Sequence, residues 1–435
     1  NHQISDSNFY PLKADMSPGQ LFCIPFGIID VVSVLFKAKI NYMKRLFFRI
    51  TALLCTVFSM NLVNAQTTQG VNVVTTAVPF LRISPDARAG SMGELGLATS
   101  PDANSSFYNQ AKAPFSKYNT GIGLTYTPWL KDLGLNDVYL LTAAGYHKLN
   151  ENEAISASIR YFSLGSIQFS DYNGNSWGEG RPREFSADLG YSRKLSDKLS
   201  LGLALRYINS NLTLGAATNT GSISAYKAGN AVSADLSLYY DATDANKQGW
   251  SFGAALSNLG TKIGYTNDAT QKEYIPANLG IGAAYTKVFD EQNKVTFGLD
   301  LNKLLVPAPP PYTGVPDTDS AAVDKYHNQS VTSSWFNSFS GGDQLKKINA
   351  SIGAEYTYNE QFAFRLGYFY EDKNQGGRQY FTLGVGLKYN MLGLNFSYLV
   401  PSGSGITRNP LSNTIRFGLV FDLDGGDNAP VNNDQ

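Results

Sequence analysis

The side chains that most often carry catalysis or bind metals are few and scattered in this chain. The three histidines, His2, His147 and His327, do not have the spacing of metal ligands. The glycine-rich stretch GNSWGEG at 174–180 does not lead into a predicted helix, so it lacks the backbone geometry that holds phosphate. Asp and Glu are abundant, but no pattern brings two of them into one cleft. The sequence therefore predicts no catalytic centre, no metal and no cofactor.

Charged residues do recur at regular spacing within apolar stretches. In YFTLGVGLKYN, at 380–390, Phe381, Leu383 and Val385 alternate with Gly384 and Lys388. A period of two predicts a β-strand with one apolar and one polar face. About fourteen segments follow this pattern, and many reach the roughly nine to eleven residues with which a tilted strand crosses a bilayer. The charged residues on their polar faces are Arg160, Asp188, Arg206, Asp235, Asp300, Glu355, Arg365, Lys388 and Arg416.

The connections between these segments decide between a soluble sheet and a membrane barrel. Short turns, such as 359–360, alternate with long loops at 164–184, 211–230, 260–276 and 303–346. Short turns at one end and long loops at the other are typical of outer-membrane barrels, whereas a soluble β-sandwich has no reason to separate them. We therefore predict an all-β fold, a transmembrane outer-membrane β-barrel of about fourteen antiparallel strands with an N-terminal plug.

The barrel pattern also predicts which way individual side chains point. Leu203 and Leu383 would face lipid near mid-membrane, and the charged residues would face a wet or protein-filled lumen. Gly384 would face the lumen and is expected to tolerate serine more readily than Leu383 tolerates arginine. Tyrosines at the strand ends, among them Tyr146 and Tyr239, would form girdles at the two membrane interfaces.

The stretch at 43–65 has the layout of a secretory signal peptide, with a basic start, an apolar middle and small residues at its end. Its apolar part is too short for a membrane helix, which needs about 20 residues. Residues 1–42 are then expected to be an upstream extension outside the native protein, and the mature chain would begin at Gln66. Because Cys23 and Cys55 both precede that point, an exported chain without disulfides is expected.

The part of the chain after this leader is nearly neutral and undivided. The first 65 residues hold six Lys or Arg and three Asp or Glu, so 29 basic and 32 acidic residues remain. Without a basic block, nucleic acid is not an expected partner. The predicted organisation is a plug at 66–119, the β-barrel at 120–423 and a C-terminal tail at 424–435.

The plug prediction comes from FLRISPDARAGSMGELGLATSPDANSSFYNQAKAPF at 80–115, which is rich in Gly, Ala and Ser. This stretch also holds a compact charge set, Arg82, Asp86, Arg88 and Glu94, which would pair with charges in the lumen. It contains more apolar residues than disordered tails do, and this favours a packed plug over a periplasmic tail.

The same stretch resembles the N-terminal signature of the FadL-like superfamily of long-chain fatty-acid transporters. The matching positions are Arg88, Met92, Gly93, Asn109 and Ala111, and Gln110 stands where proline is usual. A closer resemblance, over about 67–423, is to the PorV family of type IX secretion outer-membrane proteins. It rests on this block, on the strand count and on the connection KDLGLNDVYL at 131–140. The plug residues singled out in this way are Arg82, Asp86, Arg88, Met92, Gly93 and Asn109.

The PorV resemblance implies a non-enzymatic carrier of secreted proteins within outer-membrane lipid. Such a carrier would dock on a large translocon barrel of the SprA/Sov type, hold cargo by its C-terminal domain and pass it to a PorU-like sortase complex. The FadL resemblance implies instead a channel for hydrophobic small molecules, with an apolar pocket and a displaceable hatch. A third possibility, a lipid-modifying enzyme, lacks a nucleophile–base pair.

The longest loop, 303–346, contains the proline-rich stretch LLVPAPPPYTGVPDTDS, which is predicted to be extended, and the aromatic stretch SSWFNSF. Exposed apolar and proline-rich segments usually bind partners, and self-packing over the barrel mouth is the alternative. The PorV resemblance favours a protein partner. The predicted partner-binding residues are Leu304, Leu305, Val306, Pro309, Pro310, Tyr312, Trp335, Phe336 and Phe339.

Overall fold

The computed structural model describes residues 73–170, 173–214, 226–267, 271–340, 344–400 and 413–425. The predicted upstream extension, the predicted signal peptide and both cysteines lie outside the described residues. The same holds for the predicted C-terminal tail beyond residue 425.

The described residues form a closed barrel of fourteen antiparallel strands, in which the first strand pairs with the last. Neighbouring strands follow chain order around the wall, and two small hairpins lie in the long loops. The predicted fold class is thus confirmed. The barrel strands are β1 (Tyr118–Pro128), β2 (Val138–Lys148), β3 (Glu153–Leu164), β6 (Arg183–Lys194), β7 (Leu199–Asn211), β8 (Gly229–Asp241), β9 (Gly249–Gly260), β12 (Asn278–Val288), β13 (Asn293–Leu304), β14 (Ile348–Tyr358), β15 (Phe362–Tyr370), β16 (Gln379–Tyr389), β17 (Leu392–Val400) and β18 (Ile415–Gly425). The hairpins pair β4 (Ile167–Ser170) with β5 (Ser176–Gly180), and β10 (Ile263–Gly264) with β11 (Lys272–Glu273).

Along the strands, apolar side chains point outward and polar side chains point inward, which is the reverse of the arrangement in a soluble protein. In β7, Leu203 and Leu205 are exposed on the outer wall, whereas Ser200 and Arg206 are buried on the inner face. Lipid solvates the outer apolar side chains, and polar groups find their partners inside. All nine charged residues predicted for the polar faces lie on the inner face; eight are buried and Lys388 is half-buried.

Tight turns connect the strands at one end of the barrel, here called the turn end. Between β14 and β15 the chain reverses at Asn359 and Glu360, which both have φ of 52°. The N–H of Gln361 donates to the carbonyl of Tyr358 at 3.0 Å and closes the turn. Left-handed φ at both central residues is what a type I′ hairpin turn requires, and Asn favours that conformation.

Long connections lie at the opposite end, here called the loop end, which faces the cell exterior in outer-membrane barrels. The longest of them, between β13 and β14, contains helices α2 (Pro316–Asn328) and α3 (Val331–Asn337). The prediction of an extended loop is therefore wrong beyond Gly314, because proline at the first turn of α2 is compatible with a helix. In the described part of the chain, no helix is long and apolar enough to cross a membrane.

Residues 73–117, here called the lumen segment, run through the barrel from the loop end to the turn end. Near the loop end, Val74 packs against Tyr274, and the N–H of Ala77 donates to the Tyr274 carbonyl at 2.9 Å. Near the turn end, the Ser116 carbonyl accepts from Lys148 Nζ at 3.3 Å, and β1 begins two residues later. The segment is built of short turns and 3₁₀-helices and includes the single-turn helix α1 (Ala87–Gly90).

Two predictions about side chains are wrong because the lumen segment occupies the space they face. Tyr146 and Tyr239 point inward rather than into a girdle, and the ring of Tyr239 lies 5.4 Å from that of Phe115. A Cβ on Gly384 would overlap the side chain of Ser91. Serine at this position is thus expected to collide with the lumen segment rather than to be tolerated.

Candidate functional site

Arg88 of α1 makes the most extensive contact between the lumen segment and the wall. Its Nη2 and Nε donate to the two carboxylate oxygens of Glu355 on β14, at 2.8 and 3.0 Å. Its Nη1 donates to Asp102, also at 2.8 Å, and Glu355 accepts a further bond from Arg365 at 2.6 Å. Two-pronged arginine–carboxylate pairs fix orientation as well as distance, so this network sets the position of α1 in the lumen.

A second ionic contact lies nearer the loop end. Arg82 donates to Glu371 at 3.0 Å, and Arg378 donates to the same carboxylate at 2.8 Å. The carboxylate of Glu94 accepts from the hydroxyl of Tyr380 at 2.6 Å. The wall therefore holds the lumen segment at three places: on β14, on β16 at Tyr380, and directly after β15 at Glu371.

Hydrogen bonds that involve backbone groups complete the attachment. Asp300 on β13 accepts the N–H groups of Gly96 and Leu97 at 2.8 and 2.9 Å. The side-chain amide of Asn109 donates to the carbonyls of Leu97 and Leu238 at 2.9 and 3.0 Å. Buried amides and carbonyls that are satisfied in this way stabilise the closed lumen, because leaving them unpaired would cost about 1–3 kcal/mol each.

The Met92-Gly93 pair lies where the lumen segment comes closest to the wall. Gly93 has φ of +68°, and a Cβ there would lie 2.6 Å from the carbonyl oxygen of Tyr368. On the wall, a Cβ on Gly367 would overlap the backbone of the same pair. The N–H of Gly93 donates to the Thr382 hydroxyl at 2.8 Å. Such a close approach requires glycine on both sides.

The six predicted plug residues all lie in the lumen segment, but they hold it in different ways. Arg82 and Arg88 form ion pairs with the wall, as the charge set suggested. Asp86 instead caps α1 by accepting the Ala89 N–H at 3.0 Å, and it also accepts from the Tyr108 hydroxyl at 2.7 Å. Met92, Gly93 and Asn109 act through packing or hydrogen bonds, as does Glu94 of the predicted charge set.

Several partners of the lumen segment were not singled out from the sequence. Glu371 and Tyr380 lie at the loop ends of β15 and β16, where the alternating pattern fades into the loop. The sequence did hold a signal for Tyr380, because it has the same strand phase as Gly384 and Lys388 and is thus predicted to face the lumen. In the structure it is 1% exposed. Within the described residues, no three His, Cys, Asp or Glu side chains are placed to hold a metal ion.

A polar cavity of about 140 Å³ remains between the lumen segment and the wall, towards the loop end. Its lining includes Arg82 and Phe107 of the lumen segment and Arg160, Asp300 and Arg378 of the wall. Charged, amide and hydroxyl side chains make up somewhat more than half of the lining residues, and the others are apolar. An apolar ligand that entered it would strip water from these groups without replacing their hydrogen bonds.

A larger cleft, of about 840 Å³, lies on the outer wall. It crosses seven neighbouring strands, from β15 through the β1–β18 seam to β3, and apolar side chains such as Phe364, Phe417 and Tyr126 line it. Behind it, on the inner face, a Cβ on Gly418 would lie 3.3 Å from Ala87 of α1. The cleft therefore faces lipid and is separated from the lumen by the wall and α1.

The base of the longest loop is buried rather than exposed. Leu305 and Val306 are 4% and 3% exposed, and Leu304 is half-buried. Val306 packs with Val74 and Tyr274 over the start of the lumen segment. The prediction that this part of the loop is free to bind a partner is wrong, because these side chains cover the barrel mouth.

The exposed part of the loop lies further along. Tyr312, Phe336 and Phe339 expose 86%, 77% and 51% of their surface. The remaining predicted residues, Trp335, Pro309 and Pro310, are half-buried.

The loop is fixed to the barrel by Lys262, which follows β9. Its Nζ donates to the carbonyls of His327 and Gln329 at 2.6 and 2.9 Å and lies 4.1 Å from the centre of the Tyr274 ring. Burial lowers the pKa of Lys262. The two hydrogen bonds of Lys262 hold the junction of α2 and α3, so the exposed aromatic side chains lie on an ordered support.

These features define an outer-membrane β-barrel whose lumen is occupied by its own N-terminal segment. Residues 65–311, more than half of the chain, match the model of the family described as type IX secretion system protein PorV. The chain belongs to this family, and the resemblance predicted from the sequence is confirmed. It is accordingly a protein of the outer membrane of a Gram-negative bacterium.

A comparison with curated proteins finds no match. Among solved structures, the chain is similar to the toluene transporter TbuX of Ralstonia pickettii, with 14% identity, a TM-score of 0.46 and coverage of 77% of this chain and 97% of that one. The toluene transporter TodX of Pseudomonas putida has 14% identity and a TM-score of 0.45, with coverage of 77% of this chain and 96% of that one. A Pseudomonas aeruginosa FadL homologue has 10% identity and a TM-score of 0.40, with coverage of 80% of this chain and 99% of that one. At these identities and scores the likeness carries no argument about function.

Proposed function

We propose that this chain is a non-enzymatic carrier in type IX secretion. It holds secreted cargo by the cargo's C-terminal domain at a large translocon barrel of the SprA/Sov type. It then passes the cargo to a PorU-like sortase complex at the cell surface. Family membership supports the secretion role, and the steps of this route are the proposal.

The observation that carries the proposal is the contrast between the lumen and the loop end. Buried ion pairs and hydrogen bonds attach the lumen segment to the wall, and the described cavity beside it is small and polar. At the loop end, exposed aromatic side chains lie on an ordered loop. Aromatic residues on a rigid support bind protein partners well, because little entropy is lost when they are covered.

The alternative, a FadL-like channel for hydrophobic small molecules, requires an apolar path through the lumen. The lining of the cavity of about 140 Å³ includes arginine, carboxylate and amide groups as well as apolar side chains, so it is not an apolar path. The large apolar cleft lies on the outer wall and is separated from the lumen. These two features favour the carrier.

The test replaces the three exposed aromatic residues of the loop together, Tyr312→Ser, Phe336→Ser and Phe339→Ser. The buried base of the loop is left intact so that the barrel mouth stays covered. The matched control replaces exposed apolar residues of two other loops, Leu133→Ser and Tyr226→Ser, which are 59% and 55% exposed. Barrel assembly is checked by the mobility difference between heated and unheated samples in SDS gels.

We expect the triple variant to lose at least about tenfold in co-purification of a cargo C-terminal domain, since aromatic anchors commonly carry about 2 kcal/mol or more each. Cargo should also fail to reach the cell surface, while the control variant behaves as wild type. Wild-type binding and secretion by the triple variant would rule out this loop and move the site to 164–184 or 211–230.

A further inference from the structure

The apolar cleft on the outer wall has the form of a straight groove between two rows of side chains, here called the wall groove. In the strand register, one row runs from Phe364 on β15 through Phe417 on β18 to Tyr161 on β3, with one residue from each of seven strands. The second row lies two residues nearer the turn end on each strand and runs from Phe362 to Ile159. Neighbouring strands are about 4.8 Å apart, so the groove is about 30 Å long.

The wall groove is concave because the wall approaches the lumen segment here. The residues between the two rows point inward, and several of them, such as Ala363, Gly386 and Gly418, have little or no side chain. Helix α1 packs against β16, β17 and β18 on the inner side. A Cβ on Gly418 would already lie 3.3 Å from Ala87 of that helix. Short inner side chains therefore let the wall come close to α1 and leave a hollow on the lipid side.

The wall groove crosses the membrane obliquely. Phe364 lies two residues from the turn end of β15, whereas Tyr161 lies three residues from the loop end of β3. At this upper end, the ring of Tyr139 lies 5.8 Å from that of Tyr126 and 6.3 Å from that of Tyr161. Tyrosines with one apolar and one polar end are typical of the level of the lipid headgroups. The groove thus descends from the outer leaflet towards the inner one.

We propose that the wall groove holds one acyl chain of an outer-leaflet lipid, with the headgroup beside the three tyrosines. The two rows are about 7 Å apart, because two residues along each strand separate them. A single extended hydrocarbon chain fits between them and contacts both rows at the usual carbon–carbon distance of about 4 Å. A helix, which is about 10–12 Å across with its side chains, is too wide. The groove volume of about 840 Å³ lies within the range of roughly 300–1,000 Å³ that is usual for ligand sites.

The lining favours a lipid over a second membrane protein. Lipid tails are as apolar as leucine, so membrane-spanning segments associate through close packing of small residues and through hydrogen bonds. Among the outward-pointing residues that line the groove, Ala143 is the only one smaller than valine, and only Tyr126 and Tyr161 carry polar side-chain atoms. An acyl chain requires neither small residues nor hydrogen bonds. This site does not depend on the proposed carrier function.

The experiment measures the lipid that the purified protein retains in detergent, by native mass spectrometry. The protein is stripped of lipid and then titrated with dipalmitoyl phosphatidylglycerol. Dihexanoyl phosphatidylglycerol, which has the same headgroup and short chains, tests whether the chain or the headgroup is bound. The variant is Ala143→Phe, which fills the groove at the smallest side chain of the second row. The matched control is Ala254→Phe, also on the outer face, on β9, which lies opposite β18 in the ring of strands.

We expect the wild type and Ala254→Phe to retain one dipalmitoyl lipid in a saturable manner. Ala143→Phe should bind it at least about tenfold more weakly, because the new ring displaces around ten close carbon contacts of the chain. The dihexanoyl lipid should not be retained. The proposal is overturned if the wild type retains no lipid, if Ala143→Phe binds as tightly as Ala254→Phe, or if the short-chain lipid binds equally well. A second copy of the protein bound in place of the lipid would also overturn it.

Phe417→Ala provides a second variant, which widens the wall groove instead of filling it. Phe417 lies on the central strand of the groove, with its ring 5.5 Å from that of Phe396, and is 51% exposed. Its control, Phe297→Ala, removes a ring that is 57% exposed on β13, outside the groove. Phe417→Ala should weaken retention of the dipalmitoyl lipid several-fold, and Phe297→Ala should leave it unchanged. Equal retention by these two variants would show that the lipid lies elsewhere on the wall. The heat-dependent gel shift confirms assembly of each variant.

Discussion

Arg88 pairs with two carboxylates at once, Asp102 in the lumen segment and Glu355 on the wall. Its side chain is 12% exposed, and those of Glu355 and Asp102 are 9% and 23% exposed. In such surroundings a charge is stable only while it is paired. Ion pairs as well as packing therefore fix the position of the lumen segment in the barrel.

Replacing Arg88 with methionine keeps much of the side-chain volume and removes the charge. Asp102 then loses its ion pair, and Glu355 keeps only Arg365. We expect Arg88→Met to lower the free energy of unfolding by about 3–5 kcal/mol, the usual cost of breaking a buried pair. The measurement is urea-induced unfolding of the protein in detergent or lipid.

Arg193→Met is the matched control for this substitution. The side chain of Arg193 is 62% exposed and pairs with Glu153 at the surface, so its loss should cost no more than about 1 kcal/mol. Equal effects of the two substitutions would show that the Arg88 network does not hold the lumen segment.

Sequence patterns predicted residues at this scale only in part. The charges of the lumen segment and of the strand faces could be recognised because they interrupt apolar or small-residue patterns. Which of these charges form pairs could not be predicted, because only the closed barrel brings Arg88 and Glu355 together. Gly384 shows the same limit, since its intolerance of a side chain depends on Ser91 from a distant part of the chain.

Among the strands, β16 gives the sharpest test of which face meets lipid. Leu383 lies at mid-strand and is 51% exposed on the outer wall, and Tyr389 lies on the same face at the turn end. The cost of a charge on the lipid-facing side depends on depth. Leu383→Arg is expected to destabilise the barrel by about 2–4 kcal/mol, and Tyr389→Arg by about 0–1 kcal/mol. Refolding into lipid vesicles at graded urea concentrations measures both values.

A cost for Leu383→Arg no larger than that for Tyr389→Arg would mean that this part of β16 does not face the hydrocarbon layer. The strands themselves were predictable because each alternates over nine residues or more. The helices of the longest loop were not, since prolines at 309–311 suggested an extended chain and α2 has no buried face that would give a periodic pattern.

At the scale of the whole molecule, the lumen segment is expected to be part of the folded barrel rather than a removable hatch. Deleting residues 79–116 would remove the lumen-segment partners of Glu355, Glu371 and Asp300 and leave these carboxylates facing an emptied lumen. We therefore expect this deletion to abolish assembly, measured by the loss of the heat-dependent gel shift and of the protein from outer membranes.

A hatch that merely blocks a pore would give the opposite result. The deleted protein would then assemble and conduct ions in planar bilayers, and this outcome would favour the channel over the carrier. The barrel class was predictable from strand alternation and loop lengths. The full path of the lumen segment was not, because nothing in its composition indicates at which end of the barrel it begins.

That path has a consequence for biogenesis. Strands β1 and β18 are the two ends of the barrel sequence, and their pairing closes the ring. Contacts between such distant parts of a chain form late, because loop-closure entropy opposes them until other structure is in place. The lumen segment precedes β1, so it is available before any strand has paired. The wall can therefore assemble around it, with Glu355, Glu371 and Asp300 finding their partners strand by strand. The segment that fills the finished barrel would thus also act as the template for its construction.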